Sequence, residues 1–260
     1  SSDYISVTGN TIQISIQANG TFVAGVIGLL SDTSTAATVT LKDCTFTANI
    51  TNTGDGNRTA GVAGFIQAKE LNVTGNTLNI TISTDQCLLG FVQKIGIITV
   101  SNNKNSTVKI TDQNSYSDGK RAGVYIGGLV AQLPPNRSME TAITLTGNTN
   151  FHCELNVPDD PYANIGGIMG ELYGGRDSKT TITSSGNNMT GSITSTEGNI
   201  NVGRLVGVRG CYNGSRLVWN DTQLVKATAS TDLTGSGWTI KDFTGATWDI
   251  GGASSTTTTG

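Results

Sequence analysis

Ile143-Thr-Leu-Thr-Gly-Asn148 decides the fold of this chain, because copies of it recur along the whole sequence. Ile5-Ser-Val-Thr-Gly-Asn10, Leu71-Asn-Val-Thr-Gly-Asn76 and Ile182-Thr-Ser-Ser-Gly-Asn187 repeat it closely. Val39-Thr-Leu-Lys-Asp43 and Ile98-Thr-Val-Ser-Asn-Asn103 are weaker copies. A second, glycine-rich string alternates with the first. It reads Ile165-Gly-Gly-Ile-Met-Gly170, Val23-Ala-Gly-Val-Ile-Gly28, Thr59-Ala-Gly-Val-Ala-Gly64 and Val202-Gly-Arg-Leu-Val-Gly207. Weaker copies end at Gly90 and Ala131, so successive ends lie 26 to 41 residues apart, the spacing of stacked repeat units.

Outward from these strings the pattern has a period of two. Ile12, Ile14 and Ile16 follow Asn10, and Leu78, Ile80 and Ile82 follow Asn76, as in strands with one buried face. Each unit therefore reads as three short strands: a Gly-rich strand, a Thr-rich strand, a Gly-Asn corner and an alternating strand. Gly and Asn both tolerate the left-handed backbone that a sharp corner needs. Asn residues at equivalent corners can also bond their neighbours above and below as a side-chain ladder. After Asp43 and Asn148, Phe46 and Phe151 fall one residue late, which predicts a bulge or longer corner in both units.

The expected fold is all-β: a β-solenoid, a parallel β-helix of the right-handed kind, with about six to seven coils and a C-terminal aromatic cap. Residues 1–229 make the repeat domain and residues 230–252, with Trp238, Phe243 and Trp248, the cap that an open stack needs. Residues 253–260 form a Ser/Thr-rich tail of the kind that carries O-linked glycans. Gly reaches 34 residues while only 13% of the chain is charged, which suits short strands and tight turns.

A net charge of −3 without a basic cluster argues against a nucleic-acid partner. The longest apolar run, Val23 to Leu30, is too short to span a bilayer, so no direct membrane insertion is expected. Ten Asn-x-Ser/Thr sequons, at Asn19, Asn49, Asn57, Asn72, Asn79, Asn105, Asn136, Asn188, Asn213 and Asn220, point to a secreted or cell-surface chain bearing N-linked glycans. Cys44, Cys87, Cys153 and Cys211 are an even set that an oxidising compartment could pair. Residues two coils apart are nevertheless ~9–10 Å apart, beyond the reach of a disulfide, so buried free thiols are an equal alternative.

Chemistry for an active site is scarce. His152, the single histidine, has no second histidine to complete a metal site, and alternation turns it outward beside an inward Phe151 and Cys153. The acids Asp85, Asp112, Asp118, Asp159, Asp160, Glu171, Asp177 and Glu197 are scattered rather than gathered as a polysaccharide-cleaving site would need. No catalytic residue, cofactor or metal is therefore expected. Trp238 and Trp248 could instead stack on sugar rings.

Ile126-Gly-Gly-Leu-Val130, Ile165-Gly-Gly-Ile-Met-Gly170 and Val202-Gly-Arg-Leu-Val-Gly207 resemble the Gly-Leu-x-Gly core of GLUG repeats, over residues ~20–250. The closing Trp238…Phe243…Trp248 segment is similar to what often follows such arrays. The copies at Cys87-Leu-Leu-Gly90 and at Ala131 depart from the motif. The resemblance implies a large secreted or surface protein of adhesin-like character and no catalytic residues. The expected function is a structural or adhesive extracellular module, joined to neighbouring repeat domains or to copies of itself in a fibre. The alternatives are a glycan- or protein-binding adhesin and a polysaccharide-degrading enzyme.

Overall fold

The structure, a computed structural model, describes residues 4–20, 22–31, 37–53, 58–84, 91–93, 96–112, 124–133, 140–157, 163–174, 179–195, 201–211, 216–224 and 231–253. Strands and turns make up these residues, with no helix among them. Three long sheets carry the architecture. The Thr-rich sheet runs, in spatial order, Tyr4–Thr8, Thr38–Lys42, Glu70–Thr74, Ile97–Ser101, Thr141–Thr146, Lys179–Ser185, Arg216–Trp219 and Thr222–Gln223. The long-strand sheet runs Thr11–Ala18, Thr45–Asn52, Thr77–Thr84, Lys104–Asp112, Thr149–Val157, Asn187–Ser195 and Trp238–Thr244. The Gly-rich sheet runs Ile27–Ser31, Ala63–Gln67, Phe91–Gln93, Val130–Leu133, Met169–Gly174, Val206–Cys211 and Ile250–Ala253. Each strand pairs in parallel with its counterpart in the next repeat, and the ladder pairing antiparallel among them joins Arg216–Trp219 to Thr222–Gln223.

Alternation explains the core. In Thr45–Asn52, Phe46, Ala48 and Ile50 are buried while Thr47 and Asn49 are exposed. Their partners Leu78, Ile80 and Ile82 repeat the pattern one strand along. Each fully buried Ile contributes roughly 1.5–3 kcal/mol through the water it excludes. His152 lies on the outward row as expected, donating or accepting with Thr190 Oγ1 at 2.7 Å and Glu154 Oε1 at 3.0 Å.

The glycine-rich string is not one strand but two. Ala163–Gly166 belongs to a small sheet with Val124–Gly127 and Asn201–Gly203, and Met169–Gly174 belongs to the Gly-rich sheet. The chain turns between them, and the turn leaves no room for a side chain. A Cβ on Gly166 would stand 1.9 Å from the Met169 carbonyl oxygen, and one on Gly167 would stand 2.2 Å from that of Arg204 in the next repeat. The string recurs because backbone packs directly on backbone there.

The corners of the first string share one conformation. Gly9, Gly75, Gly147 and Gly186 have φ of 64–71°, and Asp43 and Asn102 occupy the same position at 52° and 55°. Asp43 thus takes the glycine's place, and Cys44 takes that of the asparagine. Phe46 consequently pairs squarely with Ile12, and the expected irregularity there is absent. Phe151 does follow an extra residue, Asn150, with φ 55°; Asn105 in the preceding repeat shares that conformation at 52°.

Candidate functional site

A buried ladder of asparagines holds the corner between the Thr-rich and long-strand sheets. Asn76, Asn103, Asn148 and Asn187 are each at most 3% exposed. The Asn76 side-chain amide donates to Asn103 Oδ1 at 3.1 Å, Asn103 to Asn148 Oδ1 at 2.9 Å, and Asn148 to Asn187 Oδ1 at 2.9 Å. The same nitrogens also donate to main-chain carbonyls one repeat earlier: Leu41, Val73, Val100 and, from Asn187, Leu145. Cys44 interrupts the ladder, its thiol donating to the Lys42 carbonyl at 3.1 Å, while its N–H donates to Asn76 Oδ1 at 3.0 Å. Exposed Asn10 has the ladder position in the first repeat, but its amide turns back to the Thr8 carbonyl at 2.8 Å.

The two ends of the stack differ. Among the described residues, the strands of the first repeat have a neighbour on one side in each of the three long sheets. Ile5, Val7, Ile12, Ile14 and Ile16 are only half-buried there, and Tyr4 and Leu29 stand 66% and 50% exposed. At the far end, Trp219 is 1% exposed and its indole N–H donates to Ser184 Oγ at 2.8 Å. Leu224 and Leu233 are buried beside it. Arg204 fastens this closure through Asp232 and, at 2.8 Å, Asp249; Asp249 Oδ2 accepts the Leu233 N–H at 2.6 Å. Burial holds the Asp249 carboxyl above its ordinary range despite the Arg204 charge. Trp238–Thr244 and Ile250–Ala253, from the aromatic segment, extend two sheets by one strand each.

Trp238 and Trp248 occupy different corners. Trp238 pairs with Asn187, whereas the Trp248 carbonyl accepts the Arg204 N–H at 2.8 Å. Trp238 walls a groove of about 620 Å³ together with Asn188, Thr190, Thr239 and Lys241, and its indole nitrogen is buried with no hydrogen-bond partner among the described residues. A second void of about 90 Å³ lies in the core between Phe46, Ile80, Ile98 and Leu129. It is lined by apolar residues and offers no polar group to orient a ligand, so the Trp238 groove is the better ligand candidate.

Among the other expected residues, Asn19, Asn49, Asn79, Asn105 and Asn188 are exposed. Asn72 and Asn220 are half-buried, with amides donating to Glu70 Oε1 and the Gly235 carbonyl, each at 2.9 Å. Asn57, Asn136, Asn213 and Cys87 lie outside the described residues, as do Asp85, Asp118, Asp159, Asp160, Asp177, Glu197 and residues 254–260. Cys44 and Cys153 are buried free thiols, and burial pushes Cys153 up to about 12. Cys211 closes the strand Val206–Cys211. No group of three or more His, Cys, Asp or Glu side chains suited to a metal ion occurs among the described residues.

One polar cluster was not foreseen. Glu171 is 3% exposed, yet Gln132 and the Tyr125 hydroxyl donate to its carboxyl. Burial raises it to about 7. Tyr125 lies on Val124–Gly127 of the small sheet, and Gln132 and Glu171 lie on the Gly-rich sheet, so the cluster bridges the two strands into which the glycine string divides.

The fold and these features define a class, an all-β chain of parallel sheets built on a repeat. Comparison with protein-family models, curated proteins and solved structures returned no match.

Proposed function

We propose that the chain is a β-solenoid of about six to seven coils that serves as a non-catalytic structural or adhesive extracellular module. The observation that carries this reading is the parallel pairing of all three long sheets, repeat onto repeat. Such a body is stiff along its axis, because successive repeats are tied by main-chain ladders and, from Asn76 to Asn187, by the asparagine corner. The GLUG resemblance of the glycine strings points the same way, towards a surface protein. Five exposed sequon asparagines suit a secreted, N-glycosylated chain.

Intact mass before and after deglycosylation, on protein secreted from a eukaryotic host, tests the compartment. Several occupied sites are expected, and an unmodified chain would remove the extracellular assignment. The groove at Trp238 favours a second reading, a glycan-binding adhesin module, in which the indole stacks on a sugar and Asn188, Thr190 and Lys241 bond its hydroxyls. A glycan array with Trp238→Ala as control separates the two: binding abolished by that change selects recognition over scaffolding.

A further inference from the structure

We propose that an N-linked glycan on Asn188 fills the Trp238 groove, with its first sugar lying on the Trp238 indole. The inference rests on the secreted, N-glycosylated reading, and it makes the sugar in the groove the chain's own. Asn188-Met-Thr190 is a sequon, and Asn188 and Thr190 both line the groove of about 620 Å³ that Trp238 walls. Trp238 pairs with Asn187, and Thr239 pairs with Asn188. Asn188 and Trp238 are therefore one step apart on adjacent strands, with about 6 Å between their Cα atoms. A sugar joined directly to the Asn188 amide spans that separation. Asn188 and Thr239 are exposed and Trp238 is half-buried, so the site opens outward.

The Asn188 amide is set for the attachment. Its Oδ1 accepts the Asn150 N–H at 2.5 Å, which fixes the carboxamide, while its Nδ2 has no hydrogen-bond partner among the described residues. A sugar on Nδ2 leaves the Oδ1 bond intact. Asn72 and Asn220 differ, because each already commits Nδ2, to Glu70 Oε1 and to the Gly235 carbonyl. Asn49 and Asn79 face only Ser and Thr across their strands: Ser15 and Thr81 for the first, Thr47 and Thr107 for the second. Attachment draws on a lipid-pyrophosphate oligosaccharide. A bond forms between Asn188 Nδ2 and the anomeric carbon, and the bond from that carbon to the pyrophosphate oxygen breaks. The lipid pyrophosphate leaves, and one amide proton passes to a base of the transferase. The first sugar, an N-acetylhexosamine, then packs its C–H face on the indole, and Lys241 at the rim can donate to its acetamide oxygen.

Glycopeptide mapping of the chain secreted from a eukaryotic host tests this, followed by hydroxyl-radical footprinting with every glycan trimmed to its first sugar. Asn188 should carry a sugar, and Trp238 should oxidise several-fold more slowly than in Asn188→Gln. Trp248, 48% exposed and at a different corner, should oxidise equally in both and serves as the internal control. Wild-type chain from a bacterial host replaces Asn188→Gln should that variant fold poorly, and Thr190→Ser, which keeps the sequon, should retain the protection. Sugars at other sequons with Asn188 bare would overturn the proposal and leave the secreted reading standing. An occupied Asn188 with Trp238 oxidised at the rate of the bare chain would overturn it too. A chain without sugar at any sequon would remove both.

Discussion

The first and last repeats of this chain use the same strand pattern, and the described residues cover the two to different extents. At the first, Ile12, Ile14 and Ile16 are half-covered, and Asn10 turns its amide back on its own strand. At the last, Trp219, Leu224 and Leu233 are buried, and Arg204 ties the covering segment to Asp232 and Asp249. The comparison teaches that the repeat does not supply its own cover. Ladders and corners tie one unit to the next, and at the last repeat residues outside the repeated strings bury its core.

Interior changes should exceed end changes by a wide margin, which is the strongest way to break the comparison. Gly166→Ala places a Cβ 1.9 Å from the Met169 oxygen, so no folded protein is expected in solubility and circular-dichroism assays. Gly9→Ala meets nothing within 4 Å and bears only the strain of φ 67°, about 1–2 kcal/mol in urea melts. An Ala at position 166 that melts like wild type would contradict the backbone-on-backbone packing.

The ladder offers the same contrast at lower amplitude. Asn148→Leu strands the Val100 carbonyl and the Asn103 amide in the core, a loss of roughly 2–5 kcal/mol. Asn10→Leu, at the exposed end, should change the urea midpoint by no more than about 0.5 kcal/mol in equivalent stability. Equal effects would mean that the corner hydrogen bonds do not hold the stack.

A pH titration reaches the interior without touching either end. The fold prefers Glu171 protonated, so its stabilising effect is complete below its ordinary value of 4.5 and is lost as pH rises through about 7. The loss is on the order of 3 kcal/mol. Comparing Glu171→Gln with wild type isolates it, because the variant should lack this component of the decline. Identical pH profiles would show that Glu171 is not held protonated.

Much of this was legible in the residues themselves. Alternation after Asn10 and Asn76 gave the long strands and their buried faces, and the Gly-Asn strings marked the corners and the ladder. What the strings hid was relational. Cys44 fills an asparagine's position because Asp43 supports the positive φ, and that equivalence appears only when Thr45 is set against Thr11. The glycine string looked like a strand because a composition of Gly, Ile and Val fits one; that it folds back on itself depends on contacts between repeats. The candidate site was half-visible: Trp238 stands out in the sequence, but Asn188 and Thr190 join it in one groove only because Asn187–Ser195 pairs with Trp238–Thr244.

Hydrogen exchange read by mass spectrometry tests most directly whether the repeat-on-repeat ladders hold the stack. The account predicts slower exchange in Thr149–Val157, paired with Lys104–Asp112 and Asn187–Ser195, than in Thr11–Ala18, paired with Thr45–Asn52 alone among the described residues. Equal or faster exchange in Thr149–Val157 would contradict it.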